Sequence, residues 1–247
     1  MKKSLLFFLI FFSISTLYSQ ISFQEQEVTS YTDNSRENRT ADIDNDGDMD
    51  IVTFGSSNID WYENNFPAQG FKPKQNITTL SGSAFIVSIE ISDFDGDGDL
   101  DVLGADSFRD KLFLHTNLDG QGTFSALQVL KTIDAIQFVK HIDMDKDGDK
   151  DLVCKSIGIG YYENTNQANN YSVFHVINNQ PINVRHNIQI NDFNNDGYPD
   201  IFYKFDTSLQ WIKNNAAVTF SPLTVISISN NVFYFFDSRD IDNDVPS

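Results

Sequence analysis

Residues 93–103 read Asp93-Phe94-Asp95-Gly96-Asp97-Gly98-Asp99-Leu100-Asp101-Val102-Leu103. Within this nine-residue loop, aspartates hold positions 1, 3, 5, 7 and 9, glycine holds position 6, and an apolar pair follows. The pattern returns at 42–50, 143–151 and 192–200, and a partial copy opens at 240–244. First positions are separated by 51, 50, 49 and 48 residues. A fixed period of this size is the signature of a repeat architecture, in which each repeat is one supersecondary unit.

The flanks repeat in step with the loops. Each complete loop leads into an apolar pair: Ile51-Val52, Val102-Leu103, Leu152-Val153 and Ile201-Phe202. Aromatic or apolar segments follow at Trp61-Tyr62, Leu112-Phe113-Leu114, Tyr161-Tyr162 and Trp211-Ile212. An aromatic residue then precedes valine by five places in Phe124/Val129, Tyr171/Val176 and Phe220/Val225, and a last run leads into the next loop. Short β-rich runs bounded by Asn, Gly and Asp read as strands. Each repeat thus holds about four strands in about fifty residues, the size of a propeller blade. The expected fold is all-β: a β-propeller of about four four-stranded blades, forming an incomplete ring. Trp61 and Trp211 are expected to pack blade against blade rather than to stack on sugars. Phe23 and Val28 repeat the aromatic–valine spacing ahead of the first loop, as an outer strand without its own blade. The last repeat lacks its middle strands, so the chain is expected to be truncated.

The N-terminus and the charge bound the compartment and the partners. Lys2 and Lys3 precede the apolar run Leu5 to Phe12, and small or polar residues extend to Ser19. That order is a secretory signal peptide over 1–19, too short to span a bilayer. Residues 20–247 are then the repeat region, secreted or at the cell surface. Without the leader, 15 basic residues face 35 acidic ones, a net charge of −20. This excess argues against nucleic acid and anionic membranes as partners and favours multivalent cations. Cys154 is the sole cysteine, so no intrachain disulfide forms, and its apolar setting reads as a small buried hydrophobe.

Calcium takes six to eight oxygen ligands at about 2.3–2.6 Å, and alternating carboxylates on a tight loop can converge on one point. Glycine at position 6 allows the positive φ of the turn. An EF-hand would need Glu at position 12 between helices. Here position 12 is Thr53, Gly104, Cys154 and Tyr203, with strand-like flanks. The tightly spaced, cysteine-rich thrombospondin pattern and the GGxGxD repeat of β-rolls are absent as well.

The four loops and their followers, above all Asp48–Ser56 (DMDIVTFGS) and Asp99–Ser107 (DLDVLGADS), resemble the FG-GAP/VCBS repeat family, in its bacterial secreted form. The resemblance implies integrin-α-like propeller blades with calcium in the hairpin between the first two strands, about one ion per complete loop. It implies ligands at positions 1, 3, 5 and 9. These are Asp42, Asp44, Asp46 and Asp50; Asp93, Asp95, Asp97 and Asp101; Asp143, Asp145, Asp147 and Asp151; and Asp192, Asn194, Asp196 and Asp200. Asn194 makes the fourth loop the weakest complete site, and Val245 in place of glycine leaves no proper site in the partial fifth. Asp48, Asp99 and Asp149 at position 7 are expected to offer backbone oxygens and keep their side chains solvated.

His115, His141, His175 and His186 fall at unrelated places in the repeats, and no nucleophile elbow, zinc helix or phosphate loop occurs. The expected function is a non-enzymatic, calcium-binding extracellular binding or adhesion module that meets a protein or a glycan. Two alternatives stand beside it: a calcium-dependent enzyme degrading extracellular polysaccharide, and a structural part of a larger secreted protein.

Overall fold

The computed structural model describes residues 35–67, 70–165, 170–179, 188–205, 208–216, 219–221 and 224–227. The leader, Phe23 and Val28, His186 and the partial fifth loop lie outside these residues. Four antiparallel sheets of four strands follow one another along the chain. Blade 1 comprises β1 (Glu37–Ala41), β2 (Asp50–Phe54) and β3 (Asn58–Tyr62), then a small hairpin of β4 (Asn64–Asn65) and β5 (Gly70–Phe71), then β6 (Gln75–Thr79). Blade 2 comprises β7 (Ile86–Ser92), β8 (Asp101–Asp106), β9 (Lys111–His115) and β10 (Gln128–Thr132). Blade 3 comprises β11 (Phe138–Ile142), β12 (Asp151–Lys155), β13 (Ile159–Glu163) and β14 (Val173–Asn178). Blade 4 comprises β15 (Ile188–Asn191), β16 (Asp200–Phe205), β17 (Ser208–Ile212) and β18 (Thr224–Ser227). In each blade the strands pair in chain order, and β11 packs against β7, so the first strands of blades 2 and 3 adjoin.

The Asp loop is the first hairpin of every blade. It closes where Ala41 pairs with Asp50, Ser92 with Asp101, Ile142 with Asp151 and Asn191 with Asp200. Position 9 is therefore the first residue of the second strand. The apolar pair after it explains how the blades stack, since neighbouring strand residues point to opposite faces. Val102, Leu152 and Ile201 face the preceding blade, whereas Val52, Leu103 and Val153 face the following one. A sheet buried on both faces needs apolar residues at consecutive positions.

Three cores result, one at each seam. The first joins Val52, Phe54 and Trp61 to Ile86, Ile89, Val102 and Phe113. The second joins Leu103, Leu112 and Leu114 to Val139, Leu152, Cys154 and Tyr171. The third joins Val153, Ile159 and Tyr161 to Ile201, Tyr203 and Ile212. Burying each large apolar side chain contributes about 1.5–3 kcal/mol. Trp61 is 1% exposed in the first core, as expected for blade packing. The backbone of Gly122 lies on the Trp61 ring with φ +81°, a place where a Cβ has no room. Trp211 is only half-buried and stacks on Phe202 at 5.7 Å. Cys154 is buried in the second core, which pushes its thiol up to about 12. The repeated Val129, Val176 and Val225 stand exposed on the last strand of their blades, while Phe124, Tyr171 and Phe220, five residues earlier, turn inward.

Candidate metal centre

Each Asp loop is built by its own carboxylates. Two left-handed residues turn the chain: the position 6 glycines, at φ +94°, +97°, +102° and +90°, and position 4, occupied by Asn45, Gly96, Lys146 and Asn195. A left-handed non-glycine residue costs about 1–2 kcal/mol. The position 1 carboxylate meets that cost by accepting two loop amides. Asp42 takes the N–H groups of Asp46 and Gly47 at 3.1 and 3.0 Å. Asp93 takes Gly96 and Gly98, Asp143 takes Lys146 and Gly148, and Asp192 takes Asp196 and Gly197. Position 5 accepts the position 7 amide in every loop, at 2.9 Å in the first three and 3.1 Å in the fourth.

Position 9 is a strut as well as a candidate ligand. Asp50, Asp101, Asp151 and Asp200 are all 0–1% exposed. Their Oδ1 atoms accept the backbone N–H of Asn64, Asn117, Asn164 and Asn214 at 2.7–2.9 Å. In the first three loops Oδ2 accepts the position 2 amide, from Ile43, Phe94 and Met144. The asparagines went unread in the sequence, although each recurs 13 to 16 residues after position 9. Two of them also cross a seam. Asn117 Nδ2 donates to the Ile43 carbonyl at 2.9 Å, and Asn214 Nδ2 donates to the Met144 carbonyl at 2.8 Å.

Three loops bring acidic oxygens within 4.8 Å of one another: Asp42, Asp44 and Asp46; Asp93, Asp95 and Asp101; Asp143, Asp145 and Asp151. Asp50, Asp97 and Asp147 lie outside these triads. Among the described residues, Asp192, Asp196 and Asp200 form no such triad with another acid. Burial and crowding raise the proton affinity of five triad aspartates, Asp44, Asp95, Asp101, Asp145 and Asp151. Burial, then Asp50, Asp46 and Glu63, push Asp44 up to about 6. Burial pushes Asp101 up to about 6 and Asp151 up to about 7, against the amide bonds that favour their ionised forms. Asp95 and Asp145 are raised by burial and by their position 5 neighbours, Asp97 and Asp147. Asp196 goes the other way, held low by a hydrogen bond from Lys213.

The oxygens fit a hard divalent cation. Asp44 Oδ1 is buried and has no hydrogen-bond donor, so it stands ready as a ligand. All donors are carboxylate oxygens, the set that suits calcium over softer metals. The expectation of solvated position 7 side chains needs correction. Asp149 is 9% exposed, and Asp99 accepts a hydrogen bond from Asn45 of the neighbouring loop at 2.9 Å. At Asp99 that bond crosses the first seam, from the first loop to the second.

The three described histidines sit in packing roles. His141 is buried, with its Nδ1 2.7 Å from Ser92 Oγ across the second seam, and burial lowers it to about 4. His115 Nδ1 lies 2.9 Å from the Ser125 carbonyl, and His175 pairs with Glu163 at 2.6 Å. Among the described residues, no helix is long and apolar enough to cross a membrane.

Comparison with known proteins agrees with this geometry. The FG-GAP-like repeat family matches residues 42–104 and 93–154, two adjacent loop-to-loop units. No curated protein matches in sequence. Among solved structures, an Agrocybe aegerita lectin that recognises non-reducing terminal N-acetylglucosamine is similar at TM-score 0.55 and 18% identity. The match covers 78% of this chain and 52% of the lectin, so the chain spans about half the lectin's length. A Photorhabdus luminescens Tc holotoxin pore matches at TM-score 0.35 and 12% identity, over 79% of this chain and 12% of that one, too distant to inform the fold. The lectin is a β-propeller, and four stacked four-stranded blades place this chain in the same fold as an incomplete propeller. With the first three of its Asp loops inside the matched span, the chain carries FG-GAP-like repeats over residues 42–154.

Proposed function

We propose that the chain is an exported, calcium-binding recognition module without catalytic activity, whose ions rigidify the blades that meet an extracellular glycan or protein. The observation that carries this reading is the convergence of three carboxylates in each of three loops, with Asp44 Oδ1 buried and undonated. Such clusters repel without a cation, and each loop closes the hairpin from which its blade begins. Calcium therefore acts on the fold, and through the fold on the surface that the blades present. Export is supported by the basic start and apolar run of residues 1–19. A glycan partner is supported by the propeller shared with an N-acetylglucosamine-recognising lectin. The test is a glycan array probed with the purified chain in calcium and again in chelator. Calcium-dependent retention on a defined glycan class supports the reading. Equal retention in both buffers contradicts the calcium dependence, and no retention leaves an extracellular protein as the partner to be captured.

A further inference from the structure

The fourth loop differs from the others in one contact that comes from outside it. Lys213 stands directly before Asn214, the residue whose N–H braces Asp200. The corresponding places before Asn64, Asn117 and Asn164 hold Glu63, Thr116 and Glu163. Lys213 Nζ lies 3.0 Å from Asp196 Oδ2 and 3.4 Å from Asn194 Oδ1. Those two oxygens belong to loop positions 5 and 3, the positions of Asp46 and Asp44 in the triad of loop one. We propose that Lys213 is a built-in cation that closes the fourth loop without metal, so that the chain takes three calcium ions and not four.

The rest of the loop is arranged to match. Asn194 Nδ2 donates to Asp200 Oδ2 at 2.7 Å, using the oxygen that accepts the position 2 amide in loops one to three. Asp192 already accepts two loop amides, from Asp196 and Gly197. Every expected ligand position of this loop therefore has a donor from the chain itself. Three carboxylates and one ammonium replace the four carboxylates of the other loops. An exposed ion pair contributes little by itself, but this one occupies the place where a divalent ion would bind. To enter, calcium must expel Lys213 and turn the Asn194 amide away from Asp200. An ammonium on a flexible stem is a compact point charge and suits this substitution.

The inference rests on the calcium reading of loops one to three, and its test separates the two. Bound calcium is counted at saturation, by equilibrium dialysis and metal analysis, in the full chain and in the double variant Asn194→Asp/Lys213→Thr. The lysine is thereby replaced by the residue of blade 2. We expect three ions in the parent and four in the variant. Four in the parent, or three in a variant whose circular dichroism matches the parent, overturns the inference. No ion in either protein overturns the calcium reading and the count with it. The lysine's role is then decided alone by Lys213→Met melted in chelator, where no metal contributes. A melting temperature lowered by about 2–4 °C supports the built-in cation, and an unchanged one refutes it.

Discussion

Loops three and four share a backbone and differ in what neutralises it. In both, the position 1 carboxylate accepts two loop amides, glycine at position 6 turns left-handed, and position 9 is braced by an asparagine N–H. Yet Asp143, Asp145 and Asp151 converge with raised proton affinity at Asp145 and Asp151, whereas Asp196 is lowered beside Lys213. The shape of an Asp loop is thus set by its internal hydrogen bonds, and its need for a cation is set separately by charge. A loop can keep the first without the second.

The largest break in that comparison comes from removing the metal. Three sites loaded at a hundred times their Kd stabilise by about 2.7 kcal/mol each. At about 2–4 °C per kcal/mol for a chain of this size, chelation should lower the melting temperature by roughly 15–30 °C. Differential scanning calorimetry in calcium and in chelator reads this directly, and coincident melts would contradict it.

A single position 3 substitution sharpens the contrast. Asp145→Ala should lose one ion, and with it roughly 5–10 °C of the calcium-dependent gain. Asn194→Ala should leave that gain unchanged, because its loop contributes none of it. Equal losses from the two would show that the fourth loop binds metal like the third.

The braces come next. Asn117→Ala leaves the buried Ile43 carbonyl without its donor across the first seam. Such a loss costs about 1–3 kcal/mol. The melting temperature should fall by about the same amount in calcium and in chelator, since the brace belongs to the backbone. A deficit confined to calcium would instead make Asn117 part of the metal site.

pH acts on the calcium-free protein through three of the same aspartates. Asp44 and Asp101 rise from 3.8 to about 6, and Asp151 rises to about 7. The folded state therefore binds more protons than the unfolded state between about pH 4 and 7. That stabilisation is fully present below the unfolded value and is lost as pH rises through 6 to 7. Chelated protein should melt higher at pH 5 than at pH 8, and saturating calcium should flatten or reverse the difference. A chelated melt that climbs from pH 5 to pH 8 would contradict the clustering.

The repeat, the strand order and the loop positions were legible because they are local: Asp, Asn and Gly mark turns, and an apolar pair marks a strand buried on both faces. Position 1 and position 9 aspartates were legible as candidate ligands, but their work as acceptors for loop amides was not. That role depends on where the chain returns. The asparagine braces were hidden for the same reason, since Asn117 meets Asp101 across a hairpin and Ile43 across a seam. Lys213 carries no loop signature at all, and only the fold of blade 4 sets it against Asp196. Asp99 was misread because the sequence does not show that Asn45 of the preceding loop reaches it. Trp61 and Trp211 read alike, yet only Trp61 has a following blade against it among the described residues.

The most direct measurement is a crystal structure grown in calcium, with ions located by anomalous scattering. The account predicts three peaks, enclosed by Asp42, Asp44 and Asp46, by Asp93, Asp95 and Asp101, and by Asp143, Asp145 and Asp151, with Lys213 still on Asp196. Ordered loops without peaks at those three places would contradict the calcium-binding account.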